Sequence, residues 1–120
     1  MGRILIGALS CKAYTERRQR CLETWVPEAV SRGLDVVFLI GGHSGEPVRE
    51  GLNLYLPCAD DYPSLPQKVS QFFQWALQNS DAEYFFKCDD DTYLRADRLA
   101  AFETEGRDYI GAEWTAGVGW

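Results

Sequence analysis

Cations are the scarcer charge in this 120-residue sequence: 12 Lys and Arg stand against 18 Asp and Glu, a formal net charge of −6. The basic footprint that holds a phosphate backbone is missing, so no nucleic acid is expected as a partner. Long hydrophobic runs are lacking too. The longest, such as Ile4 to Leu9 and Val36 to Ile40, fall far short of the ~20 residues that span a bilayer, so no membrane segment is expected. Met1-Gly2-Arg3 leads straight into the first run without a signal-peptide pattern, and Ile6 stands where N-myristoylation wants Ser or Thr. As the chain stands, it is expected in the cytoplasm. Histidine occurs once, as His43 in a glycine- and serine-rich stretch, which reads as a loop rather than a metal centre. The four cysteines, Cys11, Cys21, Cys58 and Cys88, form no C-x-x-C pair and sit in or beside apolar segments. They suit reduced, buried thiols better than a disulfide framework or a zinc site.

What is present is an ordinary globular composition, 46% apolar and 25% charged, without repeats, linkers or low-complexity tracts, and residues 1–120 are expected to form one domain. Arg3 to Leu9 is an apolar run with little polar alternation, the mark of a strand buried on both faces of a parallel sheet. Thr15, as an N-cap, opens a helical pattern to Arg32 with Cys21, Leu22, Trp25, Ala29 and Val30 on one face, Pro27 kinking or restarting it and Gly33 stopping it. Asp35 to Ile40 reads as a second strand, Gly41 to Pro47 as turn-rich, and Leu52 to Leu56 as a third strand. Ser64 and Gln67 suggest a capping box for a helix carrying Leu65, Val69, Phe72, Phe73 and Ala76. Tyr84 to Lys87 reads as a strand, Arg95 to Glu103 as a helix, and Asp108 to Gly111 as a final strand. Strands alternating with helices imply an α/β sandwich with a mainly parallel sheet, whose ligands gather at the carboxyl ends of the strands.

The excess acidity lies wholly in residues 61–120, with eleven acidic side chains against five basic. Its centre is Asp89-Asp90-Asp91, directly after a strand. In extended backbone Asp89 and Asp91 point the same way, so both can approach one hard divalent ion such as Mg²⁺ or Mn²⁺, while Asp90 points elsewhere. The competing reading is a solvated turn capping the next helix. An EF-hand is excluded, because its loop glycine would be Leu94 and its twelfth position is Ala100. A carboxylate-held metal with open positions at a strand end suits a phosphate-bearing substrate such as a nucleotide.

Three stretches, in order, resemble one family. Glu83-Tyr84-Phe85-Phe86-Lys87-Cys88-Asp89-Asp90-Asp91-Thr92-Tyr93-Leu94, followed by Leu99, resembles the DxD segment of glycosyltransferase family 31, which includes the β1,3-galactosyltransferases, core 1 synthase and Fringe. Asp60 to Lys68 resembles its D-x-Y-x-x-L-x-x-K stretch, with Trp75 where the following helix often carries Trp. Arg18 with Thr24-Trp25-Val26 resembles its R-x(5)-T-W motif. The resemblance implies a GT-A-type, Rossmann-like fold, and inverting transfer of a hexose or N-acetylhexosamine from a UDP-sugar donor to a hydroxyl of a glycan, glycoprotein or other acceptor, with Mn²⁺ or Mg²⁺ as cofactor. A divalent cation at the diphosphate would neutralise the charge that builds on the leaving group. By that match Asp91 is a metal ligand, Asp89 a contact to ribose or to the metal shell, and Asp90 a neighbour of the donor sugar. Lys68 and Arg18 are assigned to the nucleotide pocket and Asp61 to the nucleoside, with solvated or capping charges as the alternative for each. Trp25, Trp75, Phe72 and Phe73 read as core.

Leu22 replaces a second Arg common in the family, as in Fringe-like versions, so the donor sugar does not carry over. The family's acceptor half, with its general base and a histidine metal ligand, would follow Trp120, so the resemblance implies a truncated, donor-binding N-terminal part. A fragment of a type II membrane enzyme would belong in the Golgi lumen. It would also expose an edge prone to self-association. Two rivals stand beside the transferase reading. One is a catalytically incomplete UDP-binding module. The other is a cysteine phosphatase using Cys11 and Arg17, whose C-x(5)-R spacing is right but whose intervening Lys12 to Glu16 lacks the small residues of a phosphate cradle.

Overall fold

Two apolar runs make the centre of a five-stranded sheet in the computed structural model, which describes residues 4–100. Strand β1 (Ile4–Leu9) is buried along its whole length, and β2 (Asp35–Ile40) along all but its first residue. They pair in parallel, Leu5 opposite Asp35 and Leu9 opposite Leu39. On the far side of β1 lies β5 (Tyr84–Asp89), also parallel, with Leu9 opposite Asp89. Beyond β2 come β4 (Asn53–Tyr55), parallel, and β3 (Val48–Glu50), antiparallel, giving the order β3-β4-β2-β1-β5. The fold is thus α/β with a mixed, mostly parallel sheet, compatible with a Rossmann-like GT-A architecture.

Side chains alternate between the faces of the sheet, and each face has its own apolar layer. Ile4, Ile6, Ala8, Val36 and Phe38 pack against Cys21, Trp25, Val26 and Ala29 from helices α1 (Thr15–Glu23) and α2 (Val26–Ser31), with Ala96 from α4 (Ala96–Ala100). Leu5, Leu9, Val37, Leu39, Leu54 and Leu56 pack against Phe72 and Ala76 of α3 (Leu65–Asn79). Helix α3 lies so close to β1 that a Cβ added at Gly7 would stand 2.7 Å from the Phe72 ring. That approach is available only to glycine without repacking.

The helical pattern of 15–32 is two helices. Thr24 caps the end of α1, Trp25 stands at the N-cap of α2, and Pro27 sits in the first turn of α2, where a missing N–H costs nothing. The break turns Leu22 and Val30 outward, 37% and 52% exposed, and brings Val26 in. Thr15 is inside α1 rather than its N-cap, a place taken by Tyr14 without a side-chain capping bond. The Ser64–Gln67 capping box is likewise not formed: Asp61 opens a 3-10 turn (Tyr62–Ser64) that runs into α3, its carboxylate accepting from the Ser64 N–H at 3.0 Å. Strand β3 is not among the strands expected from the sequence, because Val48, Arg49 and Glu50 are all exposed and carry no apolar alternation; its hydrogen bonds to β4 define it. Gly33, at φ +84°, ends the α2 segment as expected. The remainder of the Arg95 to Glu103 helix after Ala100, and the Asp108 to Gly111 strand, lie outside the described residues.

Candidate functional site

The chain leaves β1 through α1 and α2 to β2 on one side, and returns from β4 through α3 to β5 on the other. The carboxyl end of β1 is therefore a topological switch point, where the loops diverge and leave a crevice. The parallel register aligns the ends. Ser10 N–H donates to the Leu39 carbonyl and Asp90 N–H to the Leu9 carbonyl, each at 3.0 Å. Residues far apart in sequence thus meet around a pocket of about 260 Å³, whose lining includes Ser10, Tyr14, Arg17 and Lys68 with Asp60, Asp61 and the triad Asp89, Asp90 and Asp91.

The triad divides at a turn rather than along the extended backbone expected: β5 ends at Asp89, and Asp90 and Asp91 form a turn in which Thr92 N–H donates to the Asp89 carbonyl at 3.2 Å. Asp89 and Asp91 are exposed, whereas Asp90 is 5% exposed. The Asp90 carboxylate accepts from Ser10 Oγ at 2.8 Å and faces Arg17 Nη1 at 3.5 Å, while its carbonyl accepts from the Cys21 thiol at 3.2 Å. Arg17 itself lies 3.9 Å over the Tyr14 ring, a cation–π contact that restrains the guanidinium beside the pocket.

Beside the triad stands an ion pair that the sequence alone did not single out. Lys68, 1% exposed, donates to Asp60 Oδ1 at 2.8 Å and to the Ser10 carbonyl at 2.7 Å. Asp60 also accepts from Gly41 N–H at 2.8 Å and Lys12 N–H at 2.6 Å. Burial pushes the Asp60 carboxyl up, but hydrogen bonds from Lys68, Lys12 and Gly41, with the Lys68 charge, outweigh it and hold its pKa below the ordinary value. One carboxylate ties the loops after β1, β2 and β4 to α3.

Of the residues expected at the site, Asp61, Lys68, Asp89, Asp90 and Asp91 line the pocket together. Asp61 also caps the 3-10 turn. Arg18 is not among the lining residues: its guanidinium donates to Ser10 Oγ at 3.0 Å and to the Cys11 carbonyl, bracing the turn behind Asp90. Arg17 takes the place at the pocket wall. Ser10 and Asp60 are not legible as site residues, and Arg17 only as the arginine of the rival phosphatase reading, because their roles here depend on pairing across sequence separations of up to 80 residues. Asp60 alone had a signal, standing at the head of the D-x-Y-x-x-L-x-x-K stretch.

Trp25 and Phe72 are fully buried core, while Phe73 and Trp75 are half-buried against it. All four cysteines are free, with Cys21 and Cys58 buried and Cys11 and Cys88 half-buried. Burial pushes the Cys21 and Cys58 thiols up, and the Cys88 thiol to about 12. These three stay protonated and unreactive at neutral pH. The loop after Cys11 is no phosphate cradle either. Its Lys12 N–H is given to Asp60 and its Tyr14 N–H to the Cys11 carbonyl, and Arg17 turns to Asp90 and Tyr14.

Asp89 and Asp91 offer hard oxygen donors of the kind that Mn²⁺ and Mg²⁺ take, on the open side of the pocket. Among the described residues no third acidic, thiol or imidazole group joins them in a cluster able to enclose an ion.

A family model for galactosyltransferases matches residues 16–116, from α1 past the triad. The chain belongs to the galactosyltransferase family. Within it, this galactosyltransferase-family chain is 32% identical over 110 residues to the Arabidopsis thaliana protein named probable beta-1,3-galactosyltransferase 13, covering 78% of the chain and 32% of that protein. It is 28% identical over 131 residues to probable beta-1,3-galactosyltransferase 5 of the same plant, covering 90% of the chain and 33% of that protein. A hydroxyproline O-galactosyltransferase of Arabidopsis is 27% identical over 108 residues, 81% of the chain and 16% of that protein. The chain spans about a third of the length of the first two relatives. Among the described residues no helix is long and apolar enough to cross a membrane.

Proposed function

We propose that this chain carries the nucleotide-sugar site of a hexosyltransferase that moves a hexose or N-acetylhexosamine from a UDP-sugar to an acceptor hydroxyl with inversion. The observation that carries the reading is the pairing of two exposed carboxylates, Asp89 and Asp91, with the buried, doubly held Asp90 at the switch point of a galactosyltransferase-family sheet.

Asp91 and Asp89 would hold Mn²⁺ or Mg²⁺, Asp89 either through the metal shell or by contact with the ribose. The ion supplies the positive charge that a departing diphosphate needs. Asp90 has a different task. Its carboxylate is fixed by Ser10 and Arg17, so it presents a preset acceptor to a donor-sugar hydroxyl rather than a mobile charge. Arg17 at the wall offers a cation to the diphosphate, and Arg18 acts from behind by holding Ser10. Lys68 commits two donors to Ser10 and Asp60, so its contribution to the pocket is to fix the floor on which the nucleotide lies. Asp61, on the 3-10 turn at the rim, is the group assigned to the nucleoside. Acceptors are glycans, glycoproteins or other hydroxyl-bearing molecules. As part of a longer type II membrane enzyme, the site would face the Golgi lumen.

Calorimetric titration of UDP into the chain, with and without Mn²⁺, tests the reading. Binding that requires Mn²⁺ and is lost in Asp91→Ala supports it. Binding that ignores the metal, survives Asp91→Ala, or fails in the folded wild-type chain overturns it.

A further inference from the structure

Helix α3 carries a second stripe that the nucleotide pocket does not use and that meets the apolar core only through Trp75. Gln71, Gln74, Trp75 and Gln78 recur at spacings of three and four and so share one side of the helix. Together with Glu46, from the loop before β3, and Pro57, from the turn after β4, they line an open groove of about 450 Å³ that has no lining residue in common with the nucleotide pocket. Its chemistry is distinctive. The wall carries one charge, the Glu46 carboxylate, and no Lys, Arg or His. Side-chain amides dominate it, each offering donors and an acceptor without charge. Gln71 is locked by donating from Nε2 to the Pro57 carbonyl at 3.2 Å, which leaves its Oε1 buried without a protein donor. That oxygen is enclosed, so the amides of the wall that a ligand can reach include those of Gln74 and Gln78, both exposed. Trp75, half-buried against the core, supplies a flat apolar face beside these amides.

We propose that this groove is a saccharide-binding site, separate from the donor pocket, that takes a neutral oligosaccharide. Anionic ligands have no cation to meet there, and a purely apolar ligand would strand the amides. A neutral sugar matches both halves of the lining: its hydroxyls pair with the glutamine amides and Glu46, and its C–H face lies on Trp75. The site holds a glycan chain by contacts other than those at the reacting hydroxyl, and it needs neither UDP nor metal.

The test uses ¹⁵N-labelled chain titrated with lactose and with a β-linked galactan oligosaccharide up to tens of millimolar, followed by the side-chain amide and indole N–H resonances. The expected result is saturable shifts at Gln71, Gln74, Trp75 and Gln78, at least tenfold weaker binding in Gln74→Ala/Gln78→Ala, and no change on adding UDP with Mn²⁺. Gln74 and Gln78 are exposed, so this variant keeps the fold, whereas Trp75→Ala removes part of the α3 packing. Absence of shifts with both sugars, shifts confined to the nucleotide pocket, or binding unaffected in the double variant would overturn the proposal. So would the same resonances moving with protein concentration alone, which would assign the groove to a second copy of the chain.

Discussion

Asp60 and Asp91 are both carboxylates at the carboxyl-end rim of one sheet, and the protein treats them in opposite ways. Asp60 gives its oxygens to Lys68 and to the amides of Gly41 and Lys12, and so binds three loops to a helix. Asp91 is exposed and, like Asp89, receives no side-chain ion pair from the described residues. The difference separates a charge that holds the pocket together from charges kept available for something that enters it. Asp90 lies between them, buried and anchored yet still lining the pocket.

Breaking the comparison at its structural end gives the largest effect. Asp60→Asn leaves the Lys68 ammonium buried without a counter-charge and is expected to cost about 3–5 kcal/mol in urea unfolding. The same pair sets a pH dependence. Because the folded pKa of Asp60 lies below its ordinary value, its stabilisation is complete above about pH 4 and is lost as pH falls through the lower, folded value. Acid titration of wild type should therefore show a loss of stability below about pH 4 that is smaller in Asp60→Asn. Lys68→Met should cost less, about 1–3 kcal/mol, because Asp60 keeps two amide donors and is 20% exposed at its side chain. A loss equal to that of Asp60→Asn would mean that Lys68, rather than the carboxylate, organises the loops. Ser10→Ala removes one hydrogen bond to Asp90 and should cost about 1–2 kcal/mol in the same assay. It should weaken binding of a UDP-sugar more than that of UDP, since Asp90 is assigned to the sugar.

The parts of this arrangement that the sequence discloses are those carried by local pattern. β1, β2 and β5 stand out because they are apolar throughout or nearly so, and α3 because Leu65, Val69, Phe72 and Ala76 keep helical spacing. The acidic triad is legible because it abuts a strand, but the burial of Asp90 between exposed neighbours comes from the turn at Asp90 and Asp91 and from Ser10 and Arg17, not from strand alternation. The split at Trp25 was half legible: Pro27 announced a break, but which side chains the second helix buries depends on the angle between two short helices. Strand β3 has no local signature, since its residues are exposed and only pairing with β4 defines it. The Asp60–Lys68 pair and the Ser10–Asp90 bond were illegible for a related reason. A charge or hydroxyl looks the same in sequence whether solvent or a partner 80 residues away receives it, and the parallel register decides which.

The smallest expected effect on stability comes with the most direct test. Asp91→Asn, an exposed substitution relieved of a like-charged neighbour, should change unfolding free energy by no more than about 0.5 kcal/mol. Measuring urea unfolding and Mn²⁺-dependent UDP binding on this one variant tests whether the rim separates holding from binding. The account predicts unchanged unfolding with binding abolished. Marked destabilisation, or binding equal to wild type, would contradict it.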